Sequence, residues 1–351
     1  MDNKLKRFSI VILSAALAGI LLLSAAGCGG GRETLNVYNW GDYIDPQVIK
    51  DFEKEYNIKV IYEEFDTNED MYVKIANGSG KYDVAIPSDY MIRRLADRDM
   101  LIPIDWSKIT NYGNIEERFK GLGYDADNRY SVPYMWGTVG ILYNTAMVDD
   151  EVDSWDILWN PKYEKKIFMI NSMRDSIGIT LKKLGYSLNT KDEQEIMAAR
   201  EALLEQKPLV LSYVGDEMKD KMIGGEAALA VFWSGDAAYC MSYNEDLAYV
   251  IPREGTNLWV DAMVIPNTAQ NVEAAHLFIN YMCRTEIGLM NAEYIEYASP
   301  MWTVREQLPD EVTEDMAFYP GEDDLEGSEV FEDLSDTLIL YDRVWTEVLA
   351  S

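Results

Sequence analysis

Residues 35–98 read LNVYNWGDYIDPQVIKDFEKEYNIKVIYEEFDTNEDMYVKIANGSGKYDVAIPSDYMIRRLADR. Short apolar runs and helical repeats alternate along this stretch. Leu35–Asn39 is a short apolar strand. Asp45-Pro46 then supplies an N-cap followed by proline at the first helical position, where a missing N–H breaks no hydrogen bond. Ile49, Phe52 and Tyr56 recur at helical spacing, which carries the helix to about Tyr56. Ile58–Glu63 is the next strand, and Asp70–Ala76 a helix closed by Asn77-Gly78. Tyr82–Pro87 is a strand and Tyr90–Arg98 a helix. The β-α-β-α-β order predicts a mostly parallel, doubly wound sheet, because parallel neighbours need a crossover and a helix makes it.

The second part of the chain repeats this style. Strands are predicted at Ile167–Ile170, Leu209–Tyr213, Ala227–Trp233, Tyr249–Pro252 and Trp259–Pro266. Helices are predicted at Ser176–Leu184, Asp192–Gln206, Val272–Cys283 and Ile287–Tyr294, with a last one near Leu334–Leu349. Two α/β lobes whose strands end in aromatic residues suggest a cleft protein. In open α/β sheets, ligands bind beyond the carboxyl ends of the strands.

Composition narrows the partners. The 351 residues carry 31 Lys+Arg against 61 Asp+Glu, a formal charge of −30. Hydrophobic residues make up 48% and aromatics 12%, with 23 Tyr and 9 Trp, so this is a globular chain rather than an acidic disordered one. The length favours two domains over one. The charge argues against nucleic acid and anionic lipid as partners, since both need Lys and Arg to neutralise phosphate. It permits a cationic ligand.

The first residues read as an export signal. Lys4, Lys6 and Arg7 precede an uncharged stretch, Phe8–Gly31, whose apolar centre is Ile10–Leu23, and small residues follow at Ser24–Gly27. The apolar centre is short for a stable span, which takes about 20 residues. Cys28, followed by three glycines, resembles a bacterial lipobox, although Ala25 stands where Leu is usual. Residues 1–27 are therefore expected to be a lipoprotein signal, with Cys28 lipidated and 28–33 a tether. Removing 1–27 takes three basic residues and one acidic residue from a charge of −30 and leaves −32. Cys240 and Cys283 remain, too few for a disulfide framework. They can pair outside the cell or stay as buried thiols.

Catalytic and cofactor signatures are missing. The lone His276 lies inside a predicted helix, where a surface or boundary position is expected. No Ser/His/Asp or Cys/His set can be assembled, and there is no GxGxxG, Walker loop, HExxH or CxxC pair. Glu322–Asp333 has a glycine at the sixth place of a calcium-loop count, but Glu at the first and Asp at the twelfth argue against calcium. Neither metal nor cofactor is expected.

Aromatic residues beside carboxylates at strand ends carry more information. Tyr38-Asn39-Trp40-Gly41-Asp42-Tyr43 leaves the first strand and Pro87-Ser88-Asp89-Tyr90 the third. Trp233-Ser234-Gly235-Asp236 leaves another strand, and Trp259-Val260-Asp261 begins the next. Aromatic faces attract ammonium groups by about 0.5–2 kcal/mol each. They also cover methylene stems, at about 25 cal/mol per Å² buried, and carboxylates hold the ends by charge-assisted hydrogen bonds. Any one of these Trp residues could simply pack in the core; four such places point to a slot for an organic polycation.

Leu35–Tyr43, Glu69–Lys74, Tyr82–Tyr90, Tyr130–Trp136, Asn257–Pro266 and Ala274–Met282 together resemble the spermidine/putrescine-binding proteins of polyamine ABC importers, a bacterial extracellular solute-binding family. The resemblance covers roughly Thr34–Val348. It implies a two-lobed periplasmic-binding-protein fold of type II, each lobe a mostly parallel sheet flanked by helices, with the ligand cleft between them. Crossings are expected near Gly137–Gly140, Leu258–Ala262 and Pro309–Asp315. The first lobe would then be 34–137 plus 262–309, and the second 138–261 plus 310–351. The ligand positions it implies are Trp40, Ser88, Tyr90, Asp175, Trp233, Trp259, Asp261 and Tyr297, with Asp89 adding charge. Gly41 stands where relatives carry Thr. Ser172 stands where they carry an acid, and Glu332, loosely aligned with their Gln, can restore that charge. Asp261 is the expected clamp for the central amine. The implied function is capture of spermidine or putrescine and delivery to an ABC permease driven by a cytoplasmic ATPase. The expected molecule is a monomer, anchored through Cys28 on the outer face of the cytoplasmic membrane. A secreted hydrolase, a ferric or sugar-binding protein, and a surface adhesin or sensor of the same fold are the alternatives.

Overall fold

The computed structural model describes residues 32–215 and 217–351. The expected signal segment, Cys28 and the first residues of the tether lie outside them. The first half contains β1 (Glu33–Trp40), α1 (Pro46–Tyr56), β2 (Ile58–Phe65), α2 (Asn68–Ala76), β3 (Val84–Ala85), α3 (Asp89–Asp97) and β4 (Leu101–Ile102). β5 (Ser131–Asn144), β6 (Ile167–Ile170), α4 (Met173–Lys183), α5 (Glu193–Gln206), β7 (Val210–Val214) and α6 (Met218–Ile223) follow. Then come β8 (Leu229–Trp233), α7 (Ser234–Tyr243), β9 (Leu247–Val250), β10 (Leu258–Pro266), α8 (Val272–Met282), α9 (Thr285–Ile295) and α10 (Leu338–Ala350).

Local chemistry sets these boundaries. Asp45 caps α1 by accepting the Gln47 N–H at 2.7 Å, and Asn57 closes the helix in the left-handed conformation that Asn tolerates. Thr67 caps α2 by accepting the Asp70 N–H at 3.1 Å, so this helix begins two residues before the expected start.

The strands form one curled sheet in the order β2-β1-β3-β10-β5-β8-β6-β7, with β4 against β10 and β9 against β5. β1 runs parallel to β2 and β3, and β6 runs parallel to β7 and β8, as the alternating pattern predicts. The middle differs. β10 is antiparallel to β3, β4 and β5, and β5 is antiparallel to β8 and β9. The chain leaves the first half along β5 and returns along β10, so these neighbours must run in opposite directions.

β5 is the long strand that sequence reading does not find. Its residues SVPYMWGTVGILYN are buried almost throughout, which erases the period-2 alternation, and Pro133, Gly137 and Gly140 look like breakers. Residues 131–138 pair with β10, and 139–144 pair with β8 and β9.

One apolar core runs under both halves, from Leu35, Val37 and Phe52 through Trp136 and Trp155 to Val231 and Val264. A second cluster, including Ile177, Leu181, Leu203, Tyr341 and Val348, joins α4, α5 and α10. Asp83 ties the first half together. It is wholly buried, and its oxygens accept the Asn36 N–H at 2.8 Å, the Asn36 amide at 3.0 Å, and the Gln270 and Asn271 N–H groups at 2.7 Å each. Asp83→Ala orphans buried donors, so the unfolding free energy is expected to fall by about 3 kcal/mol, measured by urea denaturation.

His276 is buried rather than at a boundary. Its Nε2 accepts the Asp105 N–H at 2.9 Å, and its Nδ1 lies 2.8 Å from the Val272 carbonyl, to which it donates. The imidazole thus pins the loop before Trp106 onto α8. Cys240 and Cys283 are both buried and free.

Candidate ligand cleft

The candidate site is built around an irregularity in β10. Its register with β5 shifts between Asp261 and Ala262. Bulges of this kind re-aim side chains. The freed Ala262 N–H donates to the Pro87 carbonyl at 3.1 Å, and Ser88 bridges Asp261. The Pro87–Tyr90 turn and the Trp-x-Asp pair, far apart in sequence, are therefore joined by backbone hydrogen bonds.

Asp261 is 6% exposed. Its Oδ2 accepts the Tyr43 hydroxyl at 2.8 Å, and its Oδ1 has no hydrogen-bond partner among the described residues. Burial pushes this carboxyl up to about 6, against the pull of the Ser88 and Tyr43 side chains, which favour the ionised form. Tyr43 is held in turn: its carbonyl accepts the Tyr134 hydroxyl at 2.6 Å.

Aromatic rings wall this carboxylate. Trp259 meets Tyr297 edge to face at 5.2 Å, and Tyr297 meets Tyr43 at 5.8 Å. Two glycines make room. A Cβ on Gly137 of β5 would stand 2.5 Å from Trp259 Cζ2 and 2.7 Å from Ser234 Oγ, and one on Gly235 would overlap the Tyr297 ring. Gly235 lies in the first turn of α7, just after Trp233, so the Tyr297 ring packs against the start of that helix. Gly235→Ala forces these apart. At the 1–3 kcal/mol that overpacking typically costs, ligand affinity is expected to fall about tenfold or more, read by calorimetry on protein of unchanged circular dichroism. The indole nitrogens of Trp40 and Trp259 are buried without partners among the described residues. Trp40 ends β1 with its ring against Phe65.

Asp89 sits beside Asp261 but is turned into the fold. Its Oδ1 accepts the Tyr90 N–H at 2.6 Å and its Oδ2 the Val260 N–H at 3.1 Å. Complete burial still pushes its carboxyl up to about 8. It locks α3 to β10.

The remaining expected residues gather around α4. Ser172 caps this helix, and its hydroxyl donates to Asp175 Oδ2 at 2.6 Å. Asn257 donates to Asp175 Oδ1 at 3.1 Å. Burial raises the Asp175 carboxyl, opposed by these donors and by Arg174. Tyr90 donates to Glu69 at 3.1 Å, and its ring meets Phe331. Trp233 is half-buried at the end of β8. The Glu332 side chain is exposed, while its carbonyl accepts from Arg174 at 3.1 Å and its N–H donates to Asn189.

Ser88, Asp89, Trp259, Asp261 and Tyr297 thus form one contiguous group, and Tyr90, Ser172 and Asp175 a second around Arg174. Sequence reading passes over Tyr43, Arg174, Asn257 and the two space-making glycines. Tyr43 lies within the quoted strand-end motif, and Arg174 between the paired positions 172 and 175, so their places were visible but their roles were not. Among the described residues, no group of three or more His, Cys, Asp or Glu is placed to hold a metal ion.

Residues 47–320 match the family described as bacterial extracellular solute-binding protein, and the chain belongs to that family. The spermidine/putrescine-binding periplasmic protein of Salmonella typhimurium is 33% identical over 99% of both chains. Among solved structures, a putative spermidine/putrescine ABC transporter protein of Listeria monocytogenes is 46% identical with a TM-score of 0.86, covering 90% of this chain and 99% of that one. The spermidine/putrescine substrate-binding protein of Streptococcus pneumoniae is 43% identical with a TM-score of 0.78, over 89% and 99%.

Proposed function

We propose that this chain captures a polyamine in the cleft between its halves and passes it, chemically unchanged, to an ABC permease. The observation that carries this reading is Asp261: a buried carboxylate with one oxygen unpartnered among the described residues, walled by Trp259, Tyr43 and Tyr297. An ammonium group supplies what that oxygen lacks, a donor and a positive charge, and its methylene stem supplies apolar surface for the rings. A neutral sugar offers donors without the charge. The relatives named for spermidine and putrescine support the same reading.

The lobes are proposed as 34–137 plus 262–309 and 138–261 plus 310–351. They pivot where β5 passes from β10 to β8, near Gly137–Gly140. Lipidation at Cys28 would hold the monomer on the outer face of the cytoplasmic membrane. The test is a thermal-shift panel of putrescine, spermidine, spermine, ferric iron and sugars. Polyamines are expected to raise the melting temperature by several degrees, iron and sugars not at all. Absence of any polyamine shift overturns the reading.

A further inference from the structure

Tyr43 meets Asp261 from a loop, and what holds that loop decides where the hydroxyl stands. Residues 41–45 join β1 to α1, and Asp42 turns through the left-handed region at a φ of 51°. Two groups fix the Tyr43 carbonyl: the Tyr134 hydroxyl at 2.6 Å and the Asn39 amide at 3.2 Å. A third anchor lies two residues on. Asn291 of α9 is 1% exposed, and its Oδ1 accepts the Asp45 N–H at 2.9 Å. The amide must face this way, because its Nδ2 and the Asp45 N–H are both donors. Nδ2 has no partner among the described residues. Packing leaves this side loose. A cavity of about 10 Å³, close to the size of one water, lies among Asn291, Pro133, Tyr134, Met135 and Ser299. Tyr134 is also the extra residue that β5 carries opposite the Asp261–Ala262 step of β10. A side chain that borders a void loses contacts on that side, so hydrogen bonds carry more of the placement of Tyr134 and of the loop it holds.

We propose that Asn291 is a positioning residue for the ligand cleft: by holding the Asp45 N–H from α9, it sets where the Tyr43 hydroxyl meets the Asp261 carboxylate. The inference rests on the polyamine reading above and deepens it. Asn291 acts through Tyr43 rather than on the ligand. With Tyr43 held at its carbonyl and Asp45 at its N–H, the hydroxyl stays 2.8 Å from Asp261 Oδ2 and leaves Oδ1 for an ammonium group. Without the Asn291 oxygen the Asp45 N–H loses its acceptor, the loop shifts, and the Tyr43 bond lengthens and weakens. That bond favours the ionised carboxylate, so the effect reaches the acid limit of binding. The other ionisable groups that face Asp261 do not titrate near pH 6. Asp89 is raised further, to about 8, and burial holds the phenols of Tyr43, Tyr124 and Tyr134 protonated, with the Tyr297 ring alongside.

The test is calorimetric titration with putrescine across the pH range of the Asp261 step, for wild type, Asn291→Leu, Tyr43→Phe and the double variant. Leucine keeps the shape of Asn291 and removes the acceptor. Asn291→Leu is expected to weaken binding about fivefold at neutral pH and to move the acid limit of binding up by about half a pH unit. Tyr43→Phe should move both in the same direction and further. The double variant should match Tyr43→Phe, because residues that act through one bond do not add. A folded Asn291→Leu protein that melts lower but keeps the wild-type affinity and acid limit overturns the proposal. So does a double variant in which the two losses add. Should Asn291→Leu not fold, hydrogen exchange of the wild type decides: the Asp45 amide is expected to exchange slowly with putrescine bound, and exchange as fast as in an open loop overturns the proposal. Failure of wild type to bind any polyamine overturns the polyamine reading itself, a separate outcome.

Discussion

Asp261→Asn is expected to weaken polyamine binding by at least tenfold while raising the melting temperature of the ligand-free protein at pH 8. The two effects share one cause. The carboxylate is buried, bonded to the Tyr43 hydroxyl and with its other oxygen unpartnered among the described residues, an arrangement suited to a bound ammonium and poor without one. Truncating one partner of a buried charge pair costs about 2–5 kcal/mol of affinity. The stability effect follows from the direction of the shift. Burial raises the carboxyl from its ordinary 3.8 to about 6 in the folded state. The folded protein therefore holds this proton more tightly than the unfolded chain. The stability this contributes is complete below the ordinary value and is lost as the pH rises through about 6. At pH 8 the ionised group is a liability on the order of 3 kcal/mol, from about 1.4 kcal/mol per unit. Asparagine carries no such liability, although its unpaired amide offsets part of the gain. At pH 4 the advantage should vanish. Wild-type affinity should decline on acidification below about pH 6, and the variant should lack that step. Scanning calorimetry and ligand titration across pH 4–8 check both; a variant that binds like wild type removes Asp261 from the site.

Trp259→Ala is expected to cost more in total, through two routes. The side chain is almost fully buried between Gly137 and Tyr297, so its loss opens a cavity worth about 3–5 kcal/mol of stability. Affinity should fall at least tenfold as well, through the lost aromatic face and the uncovered methylene stem. Trp259→Phe separates the routes. A smaller ring keeps an aromatic face and most of the packing, so it should recover part of the stability and part of the affinity. Denaturant titration and calorimetry of both variants test this. Equal affinity in wild type and Trp259→Ala would mean that the indole serves packing alone.

The outer strands and helices could be read from sequence because each is governed by neighbours in the chain. Asp45-Pro46 caps α1 and Thr67 caps α2 whatever the rest does. β5 could not, because a strand buried along its length has no alternating pattern, and its glycines are explained only by the Trp259 ring and the Tyr249 hydroxyl, which lies 2.5 Å from where a Cβ on Gly140 would be. α7 starts directly after Trp233 on Ser-Gly, a pair with poor helix propensity that hides its start in the sequence. The site shows the same division. Trp259 and Asp261 stood out by type and spacing. Asp89 looked like a cleft charge and is instead a clamp for two backbone N–H groups, which only the bulge in β10 reveals. Arg174 gave no signal because its three aromatic partners come from positions 90, 331 and 341.

The placement of β10 between β3 and β5 bears on how the chain folds. Val264 pairs with Ala85, and β3 otherwise has only β1 beside it. Until residue 264 has emerged and found its place, the first half is a parallel fragment with an open edge, and its short third strand has little to hold it. Almost the whole second half must be made in between. Contacts of such long range close slowly, so the native cleft is among the last features to form. A chain built this way stays loose while it is young and becomes compact only when nearly complete.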